Sequence, residues 1–492
     1  MALLVVTAVL SATLVGAGVA RRGLSPSLVP LTSPSLANLP IPVNGGPFGM
    51  TFDPVNGYLY VNTPNCCSTN ITVINPSTNR VVALVPLPTY SIGPIAADTA
   101  TGVVYAGDTV ATVYAISPST NQIVGTVPLE AYGCPYGCAP DVQTYDAANG
   151  DIYVTDIVDD NVSVIHGMTG VAAVPVGVSP NGAAYDSANG EVFVSNEGAT
   201  IPANLTVIDG TTNRVIGQVY HSGNGPGVTY DSSNGDVYTC TNGDQANFSN
   251  VVSVANGTTN RVVASIPISS ACGAATYDPA NDYVYVTDRD RPGGQYLSNV
   301  TLIDPGTNRI VATLPVQEGP IPIAYDPVNH NVYVGNAVAD TVSVLPQIYR
   351  LTVRESGLPN GSNWSVTIGG TTLSSTTPTI AFPEQNGSFK YTVPSVTAAN
   401  STNGMLVTYT ASPSAGTVSV SGGPQGTSVR FCTNATACRP SSSGPSGLTE
   451  ALGYYVLGGG FAALLVAGTV SIFVFRRRDR RVQRKSPSPP RS

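Results

Sequence analysis

Apolar and polar positions recur along most of this chain as one repeated pattern. An aromatic residue and an aspartate precede a short polar turn, and an apolar triplet such as Val-Tyr-Val follows, as in FDPVNGYLYV from Phe52. The aspartates of the pattern, which we call anchor aspartates, are Asp53, Asp98, Asp146, Asp186, Asp231, Asp278 and Asp326. They are spaced by 45, 48, 40, 45, 47 and 48 residues, which predicts seven similar units.

A second apolar run follows each triplet and predicts the number of strands in a unit. It reads NITVINPSTNRVVALVPL from Asn70 and NVTLIDPGTNRIVATLPV from Asn299. Each unit then contains four short strands separated by Asp-Pro, Asn-Gly and Pro-x-Thr-Asn turns. A solenoid of parallel strands is the alternative, but hairpin turns favour antiparallel blades. We therefore predict an all-β fold with a seven-bladed β-propeller over residues 36–346.

The two ends of the repeat predict how the ring closes. The seventh unit lacks a fourth strand, and the segment from Ala37 (ANLPIPVNGGPFGMTFDP) aligns with the end of the sixth unit from Ala312 (ATLPVQEGPIPIAYDP). We expect the N-terminal strand to complete the last blade, which leaves no free sheet edge.

These motifs resemble the YVTN-type β-propeller repeat family of archaeal and bacterial surface-layer and secreted proteins. The resemblance covers residues 36–346 and is weakest in the second unit. It implies a fold and a cell-surface setting, but propellers carry many activities.

Residues 347–438 lack the repeat and are rich in Thr, Ser and Gly. YRLTVRESGLPNGSNWSVTIGG from Tyr349 resembles small β-sandwich modules of archaeal surface proteins. The matching residues are Glu355, Gly357, Leu358, Pro359, Gly361, Trp364, Val366 and Gly369. The resemblance implies an Ig-like β-sandwich with Trp364 in its core, followed by a Ser/Gly/Pro stalk over residues 439–450.

Both ends of the chain carry membrane signals. Residues 451–475 form an uncharged apolar run long enough to cross a bilayer, although a buried core helix is the alternative. The basic segment 476–492 follows and is expected in the cytoplasm. Residues 1–22 predict a cleaved signal sequence or a signal anchor. We therefore expect a single-pass cell-surface protein with its N-terminal region outside.

The net charge indicates possible partners once the predicted cytoplasmic segment is counted separately from the rest of the chain. The formal net charge is −8, and residues 476–492 hold eight Lys/Arg and one Asp, so the rest of the chain carries −8 − 7 = −15. An acidic exterior argues against nucleic acid as a partner.

Asn-x-Ser/Thr sequons occur only before the predicted membrane helix, as in a secreted glycoprotein. The candidate glycosylation sites are Asn70, Asn161, Asn204, Asn247, Asn256, Asn299, Asn360, Asn363, Asn386, Asn400 and Asn434.

The connections before first strands and between second and third strands lie on one side of the predicted propeller, the long-loop face. Its longest segments are 62–70, 133–140, 195–204, 241–250 and 287–299. Six of the eight cysteines fall there, and an extracellular setting favours disulfides over a thiolate metal site. Cys134 and Cys138 would close a short loop, Cys240 and Cys272 would join neighbouring blades, and Cys432 and Cys438 would pair in the sandwich. Cys66 and Cys67 would form a vicinal pair or cross to another loop.

Acidic residues also collect on the long-loop face, namely Asp156, Asp159, Asp160, Asp244, Asp288 and Asp290. A structural calcium ion would suit such oxygen ligands, but no spacing matches a known calcium loop, so surface charge is the favoured interpretation. His166, His221 and His330 are predicted to lie apart, as solvated turn residues. No other cofactor and no catalytic set is predicted.

These features together predict a binding or adhesion protein rather than an enzyme. The long-loop face would contact a cell-wall or surface-layer component, a glycan or another protein. The alternatives are an extracellular lactonase-like or lyase-like hydrolase and a purely structural envelope glycoprotein.

Overall fold

The computed structural model describes residues 40–65, 68–89, 93, 95–109, 111–129, 140–198, 203–221, 225–241, 250–291, 295–400 and 404–433. The predicted segments 1–22, 439–450, 451–475 and 476–492 lie outside these ranges, as do Cys66, Cys67, Cys134, Cys138, Cys438, Asp244, Asn247 and Asn434. Among the described residues, no helix has the length and apolar character needed to cross a membrane.

Between Ile41 and Val344 the described chain forms seven antiparallel sheets of four strands each. The strands are β1 Ile41–Pro42, β2 Gly49–Asp53, β3 Tyr58–Asn65, β4 Ser68–Asn75, β5 Arg80–Leu87, β6 Ile95–Ala97, β7 Val104–Gly107, β8 Thr112–Ser117, β9 Gln122–Pro128, β10 Pro140–Asp146, β11 Asp151–Asp156, β12 Asn161–His166, β13 Thr169–Pro175, β14 Pro180–Asp186, β15 Glu191–Asn196, β16 Ala203–Asp209, β17 Arg214–His221, β18 Val228–Asp231, β19 Asp236–Thr241, β20 Val251–Asn256, β21 Arg261–Pro267, β22 Ala271–Asp278, β23 Tyr283–Arg291, β24 Gln295–Asp304, β25 Arg309–Pro315, β26 Pro320–Tyr325, β27 Val332–Asn336 and β28 Thr341–Val344.

Strand order gives the topology of these sheets. Strands β2 to β25 make sheets 1 to 6, four consecutive strands to each sheet. Sheet 7 has the order β1-β28-β27-β26, so its outer strand comes from the start of the described chain. First strands of neighbouring sheets contact one another from β2 through β6, β10, β14, β18, β22 and β26, and β26 contacts β2 again. The arrangement is an all-β, propeller-like fold.

Burial along the strands explains the sequence pattern. The second strands β7, β11 and β27 are buried at every position, because neighbouring sheets cover both of their faces. The fourth strands β9 and β13 are largely exposed and bury only some positions, as expected for an outer strand. The Val-Tyr-Val triplets are therefore interior strands.

Each hydrophobic cluster of this region lies between two sheets. One cluster joins sheet 7 to sheet 1, with Ile41, Tyr333 and Val342 packed against Phe52 and Leu59. Contacts between adjacent units, rather than one central core, therefore bury most of the apolar surface.

The second region, after Val344, is a sandwich of two sheets. Its strands are β29 Tyr349–Ser356, β30 Trp364–Ile368, β31 Thr371–Ser375, β32 Thr379–Glu384, β33 Gly387–Thr392, β34 Val396–Ala399, β35 Leu406–Ser412, β36 Ala415–Val420 and β37 Gln425–Cys432. One sheet has the order β32-β29-β37-β35-β34, with β29 and β37 parallel, and the other β31-β30-β33-β36. Trp364 lies in the shared core, as expected, and its indole N–H donates to the Thr377 carbonyl at 2.7 Å.

The junction between the two regions is buried against sheet 6. Ile348 is 1% exposed, and its carbonyl accepts a hydrogen bond from Asn281 Nδ2 at 2.9 Å. Arg350 forms ion pairs with Asp304 and Asp282 and lies over the Tyr283 ring, 5.0 Å from its centroid. Charge pairing and apolar packing therefore hold the second region to this sheet.

Candidate binding face

Connections after first and third strands form one side of the ring, the turn face, and they are nearly uniform. Four residues separate the first and second strands of sheets 1, 3, 4, 5 and 6. In sheet 1, Asp53 Oδ1 accepts a hydrogen bond from the Val55 N–H at 2.8 Å, and the Gly57 N–H donates to the Asp53 carbonyl at 2.9 Å. Gly57 has a φ of 74°, a conformation that glycine adopts without strain. The anchor aspartates are therefore turn-forming residues.

The aromatic residue before an anchor aspartate interacts with the anchor aspartate of the preceding sheet. Burial, followed by the hydrogen bond with Asp98, raises the pKa of Tyr145 to about 12. Asp146 affects the pKa of Tyr185 in the same way. The same hydrogen bond between a tyrosine and the preceding anchor aspartate joins Tyr230 to Asp186, Tyr277 to Asp231 and Tyr325 to Asp278. The aromatic-Asp pattern therefore links neighbouring sheets as well as forming turns.

A second set of contacts links the middle tyrosine of the triplets to the next sheet. Tyr60 donates its hydroxyl to Asn121 Oδ1 at 2.9 Å, and Tyr238 donates to Asn308 Oδ1 at 2.9 Å. Sheet 4 has Phe193 at this position, and the corresponding Asn260 Oδ1 in sheet 5 is buried without a hydrogen-bond partner. The missing hydroxyl explains the unpaired oxygen.

Connections on the long-loop face vary in length. Between second and third strands they run from two residues in sheet 1 to nine in sheet 5. Segments 62–70 and 287–299 were expected to be loops, but β3 and β4 pair as far as Asn65 and Ser68, and β23 and β24 as far as Arg291 and Gln295. The described residues of these two segments therefore belong to paired strands, and in sheet 1 a 2.7 Å hydrogen bond joins the Thr63 and Thr72 hydroxyls.

Three acidic residues of this face, Asp156, Asp160 and Asp288, accept hydrogen bonds from backbone N–H groups or hydroxyls of nearby strands and connections. Asp156 Oδ1 accepts a hydrogen bond from the Val158 N–H at 3.0 Å, and Asp160 Oδ1 accepts from the Ser179 N–H at 2.7 Å. Asp288 accepts hydrogen bonds from the Ser270 and Thr301 hydroxyls, and burial raises its pKa to about 6 although these bonds lower it. Within the described ranges, no three His, Cys, Asp or Glu side chains are grouped to hold a metal ion.

Cysteines connect neighbouring elements. Cys240 and Cys272 form a disulfide with a Cα–Cα distance of 5.9 Å, which joins sheets 5 and 6. They were expected in loops but lie in β19 and β22, and both are fully buried. Cys432 at the end of β37 is also disulfide-bonded.

Histidines of the turn face lie apart, in sheets 3 and 7. His166 ends β12, and its Nδ1 is 2.8 Å from Asp151 Oδ1. His330 occupies the left-handed position of its turn, and its Nδ1 is 2.7 Å from the Tyr325 hydroxyl. His221 ends β17, on the opposite face.

Candidate glycosylation sites differ in exposure. Asn70 and Asn161 are buried, with 8% and 6% exposure. Asn204, Asn256, Asn299 and Asn400 are half-buried, whereas Asn360, Asn363 and Asn386 in the sandwich are exposed. The structure therefore makes the three sandwich asparagines the most accessible of the described sites.

Sequence patterns gave no indication of a cavity on the inner strands of sheets 1 to 3. It has a volume of about 340 Å³, and Met50, Phe52, Gln143 and Tyr145 are among the residues that line it. Neither polar atom of the Gln143 side chain has a hydrogen-bond partner.

Comparisons with known proteins bear on the fold alone. No family model matches the chain, and no curated protein matches it. Among solved structures, the chain is similar to the hydrazine synthase of Kuenenia stuttgartiensis, with 17% sequence identity and a TM-score of 0.53. The similarity covers 61% of this chain and 96% of that one. At this level of identity the likeness shows a shared fold and gives no evidence of shared activity.

Proposed function

We propose that this chain is a membrane-anchored cell-surface protein whose sheets are the blades of one seven-bladed β-propeller. Its long-loop face would bind a cell-wall or surface-layer component, a glycan or another protein. The cyclic contacts of the first strands and the position of β1 in sheet 7 support the closed ring.

The difference between the two faces is the observation that carries the binding proposal. Turns between first and second strands have four residues in sheets 1, 3, 4, 5 and 6 and six in sheets 2 and 7, each with its anchor aspartate, whereas connections between second and third strands run from two residues to nine. Variable connections on a constant scaffold are where binding specificity is usually placed.

Sequence features support the proposed location at the cell surface. The apolar run 451–475 and the basic segment after it would anchor the chain, and the sandwich with its stalk would separate the ring from the membrane. The resemblance to YVTN-type repeat proteins favours the same setting.

A binding screen tests the proposal. The full chain in detergent would be offered to a glycan array and to isolated cell envelopes. A matched variant would have residues 242–250 replaced by Asn-Gly, and the control variant would be Val328→Ser on the turn face, where Val328 is 68% exposed.

We expect the loop variant to lose binding and the control variant to keep it. Binding that survives replacement of residues 242–250 would contradict the proposal. A stoichiometric transition metal in the purified chain would instead favour the hydrolase alternative.

A further inference from the structure

The disulfide between Cys240 and Cys272 lies inside the hydrophobic cluster that sheets 5 and 6 share. Both cysteines are 0% exposed, and Tyr238, Val252 and Val286 are among the side chains packed with them. The two residues are 32 positions apart in sequence, on the second strand of sheet 5 and the first strand of sheet 6. Because neither cysteine has accessible surface, a reagent in solution cannot reach the sulfur atoms while the two sheets are in contact.

The backbone of sheet 5 covers Cys240 closely. The Cys240 N–H donates a hydrogen bond to the Gly227 carbonyl at 2.7 Å. A Cβ atom placed on Gly227 would lie 2.7 Å from Cys240 Sγ and 3.0 Å from Ala274 Cα of sheet 6. The backbone at Gly227 therefore packs directly on the sulfur atom, where any side chain would push the two sheets apart.

The chemistry of the closed contact also opposes thiol–disulfide exchange, because exchange requires a thiolate. A thiolate at either cysteine would lose its hydration in this cluster. Cys272 is also paired with Asp288 on the neighbouring strand. Asp288 is 3% exposed and accepts hydrogen bonds from the Ser270 and Thr301 hydroxyls, so an acidic side chain is fixed beside Cys272. Exchange at this position therefore requires the sheets to separate.

We propose that the Cys240 and Cys272 thiols are oxidised before sheets 5 and 6 close on each other, and that the closed contact then protects the bond from reduction. The oxidant belongs to the chemical class of disulfides. One cysteine thiolate attacks the oxidant to give a mixed disulfide, and the second thiolate then displaces the oxidant's sulfur. The chain loses two protons and two electrons, and the oxidant's disulfide becomes two thiols. This inference is independent of the binding proposed for the long-loop face.

Reduction of the folded chain tests the protection. The full chain in detergent would be treated with dithiothreitol in buffer or in concentrated urea, and maleimide labelling with peptide mass spectrometry would measure free Cys240 and Cys272. We expect reduction in buffer to be slower than in urea by about 100-fold or more, because the sheets must first separate. The control is Val328→Cys carrying a mixed disulfide with glutathione. It should be reduced at similar rates in both solutions, because position 328 is 68% exposed.

Gly227→Ala is the diagnostic variant. Its methyl group would overlap Cys240 Sγ and Ala274, so reduction in buffer should be faster by about tenfold or more. The matched control is Gly423→Ala in the sandwich, where an added Cβ would have no atom within 4 Å, and its reduction rate should equal that of the parent chain. Circular dichroism would show that both variants fold. An unchanged reduction rate in folded Gly227→Ala would contradict the shielding by this backbone.

Refolding tests the order of the two events. The reduced, unfolded chain would be refolded with oxidised glutathione added either before or after the removal of urea. We expect the Cys240–Cys272 bond to form when the oxidant is present before refolding, and both thiols to stay free when it is added afterwards. A reduced chain that fails to refold until it is oxidised would also place oxidation before closure.

Two results would overturn the proposal. One is reduction of the folded parent chain at a rate within about tenfold of the rate in urea. The other is formation of the bond in the folded, reduced chain as fast as in the unfolded chain.

Discussion

Ile41 and Val342 are antiparallel partners in sheet 7, so the first strand of the described chain completes the sheet formed by its last three propeller-like strands. Both side chains are buried in the cluster between sheets 7 and 1. The pairing covers a sheet edge that would otherwise be open to other chains. It also joins the first and last strands of the repeated region, so we expect the stability of the ring to depend on both strands.

Truncation of Ile41 tests this dependence. Ile41→Ala should lower the free energy of unfolding by about 2–5 kcal/mol, because it removes a buried side chain at the closing strand. Urea denaturation of the full chain would measure the loss. The control Val328→Ala, at an exposed position, should change stability by less than about 0.5 kcal/mol. Equal stability of both variants would argue against a closing role for β1.

Phe193→Tyr should stabilise the chain. The new hydroxyl would donate to Asn260 Oδ1, which is buried without a partner, and add about 1 kcal/mol. The reciprocal change Tyr153→Phe removes the hydroxyl that donates to Asn213 Oδ1 and should cost a similar amount. Denaturation midpoints of the two variants should move in opposite directions. A shift of both in the same direction would show that these contacts do not determine the stability.

We expect the ionisation of Asp278 to make the free energy of unfolding depend on pH. Burial raises the pKa of its carboxyl from 3.8 to about 7, although hydrogen bonds from Ala280 and Tyr325 lower it. Between about pH 4 and 7 the folded state therefore holds a proton that the unfolded state has released. The free energy of unfolding should fall as the pH rises through this window, by on the order of 2–4 kcal/mol.

Asp278→Asn should reduce that slope, as measured by urea denaturation at several pH values, and burial of Asp288 and Glu384, which raises the pKa of Asp288 to about 6 and of Glu384 to about 7, should account for the rest. Asp98→Asn is the matched control. Burial alone would raise the pKa of Asp98, but hydrogen bonds from Thr101, Tyr145 and backbone N–H groups lower it below 3.8. The stability contribution of Asp98 is therefore lost only as the pH falls through that lowered pKa. A slope between pH 4 and 7 that is reduced in Asp98→Asn and unchanged in Asp278→Asn would contradict this assignment.

Sugar attachment should follow exposure if the chain is glycosylated. We expect Asn360, Asn363 and Asn386 to carry glycans, because their side chains are exposed. Asn70 and Asn161 should remain unmodified, because their side chains are buried within β4 and β12. Glycopeptide mass spectrometry of the chain from its native cells would measure each site. Full occupancy at Asn70 or Asn161 would mean that modification precedes folding of these strands.

Local sequence carried much of the information about the fold. The turns at the anchor aspartates were predictable because Asp and Gly have a direct effect on backbone geometry within a few residues. Trp364 was predictable as a core residue from its place in a short motif. The alignment around Pro47 and Pro320 predicted the origin of the outer strand in sheet 7.

Features that depend on two distant segments were not predictable. Gln143 looks like an ordinary polar residue in its strand, and only the neighbouring sheets make it a buried, unpaired amide. Arg350 gains its role from Asp282 and Asp304, which approach it only in the folded chain. The segment 62–70 was expected to be a loop because Asn suits turns, but Asn62, Thr63 and Asn70 are buried within the paired strands β3 and β4.

Site-specific photo-crosslinking on intact cells tests the central claim most directly. A crosslinking amino acid would replace Tyr296, which is 51% exposed on the long-loop face, or Val328, which is 68% exposed on the turn face. The two positions lie at opposite ends of the sheets and are similarly accessible. If the long-loop face binds a cell-surface partner, position 296 will give adducts of defined mass with another molecule and position 328 will give none. Adducts at position 328 without adducts at position 296 would contradict the account.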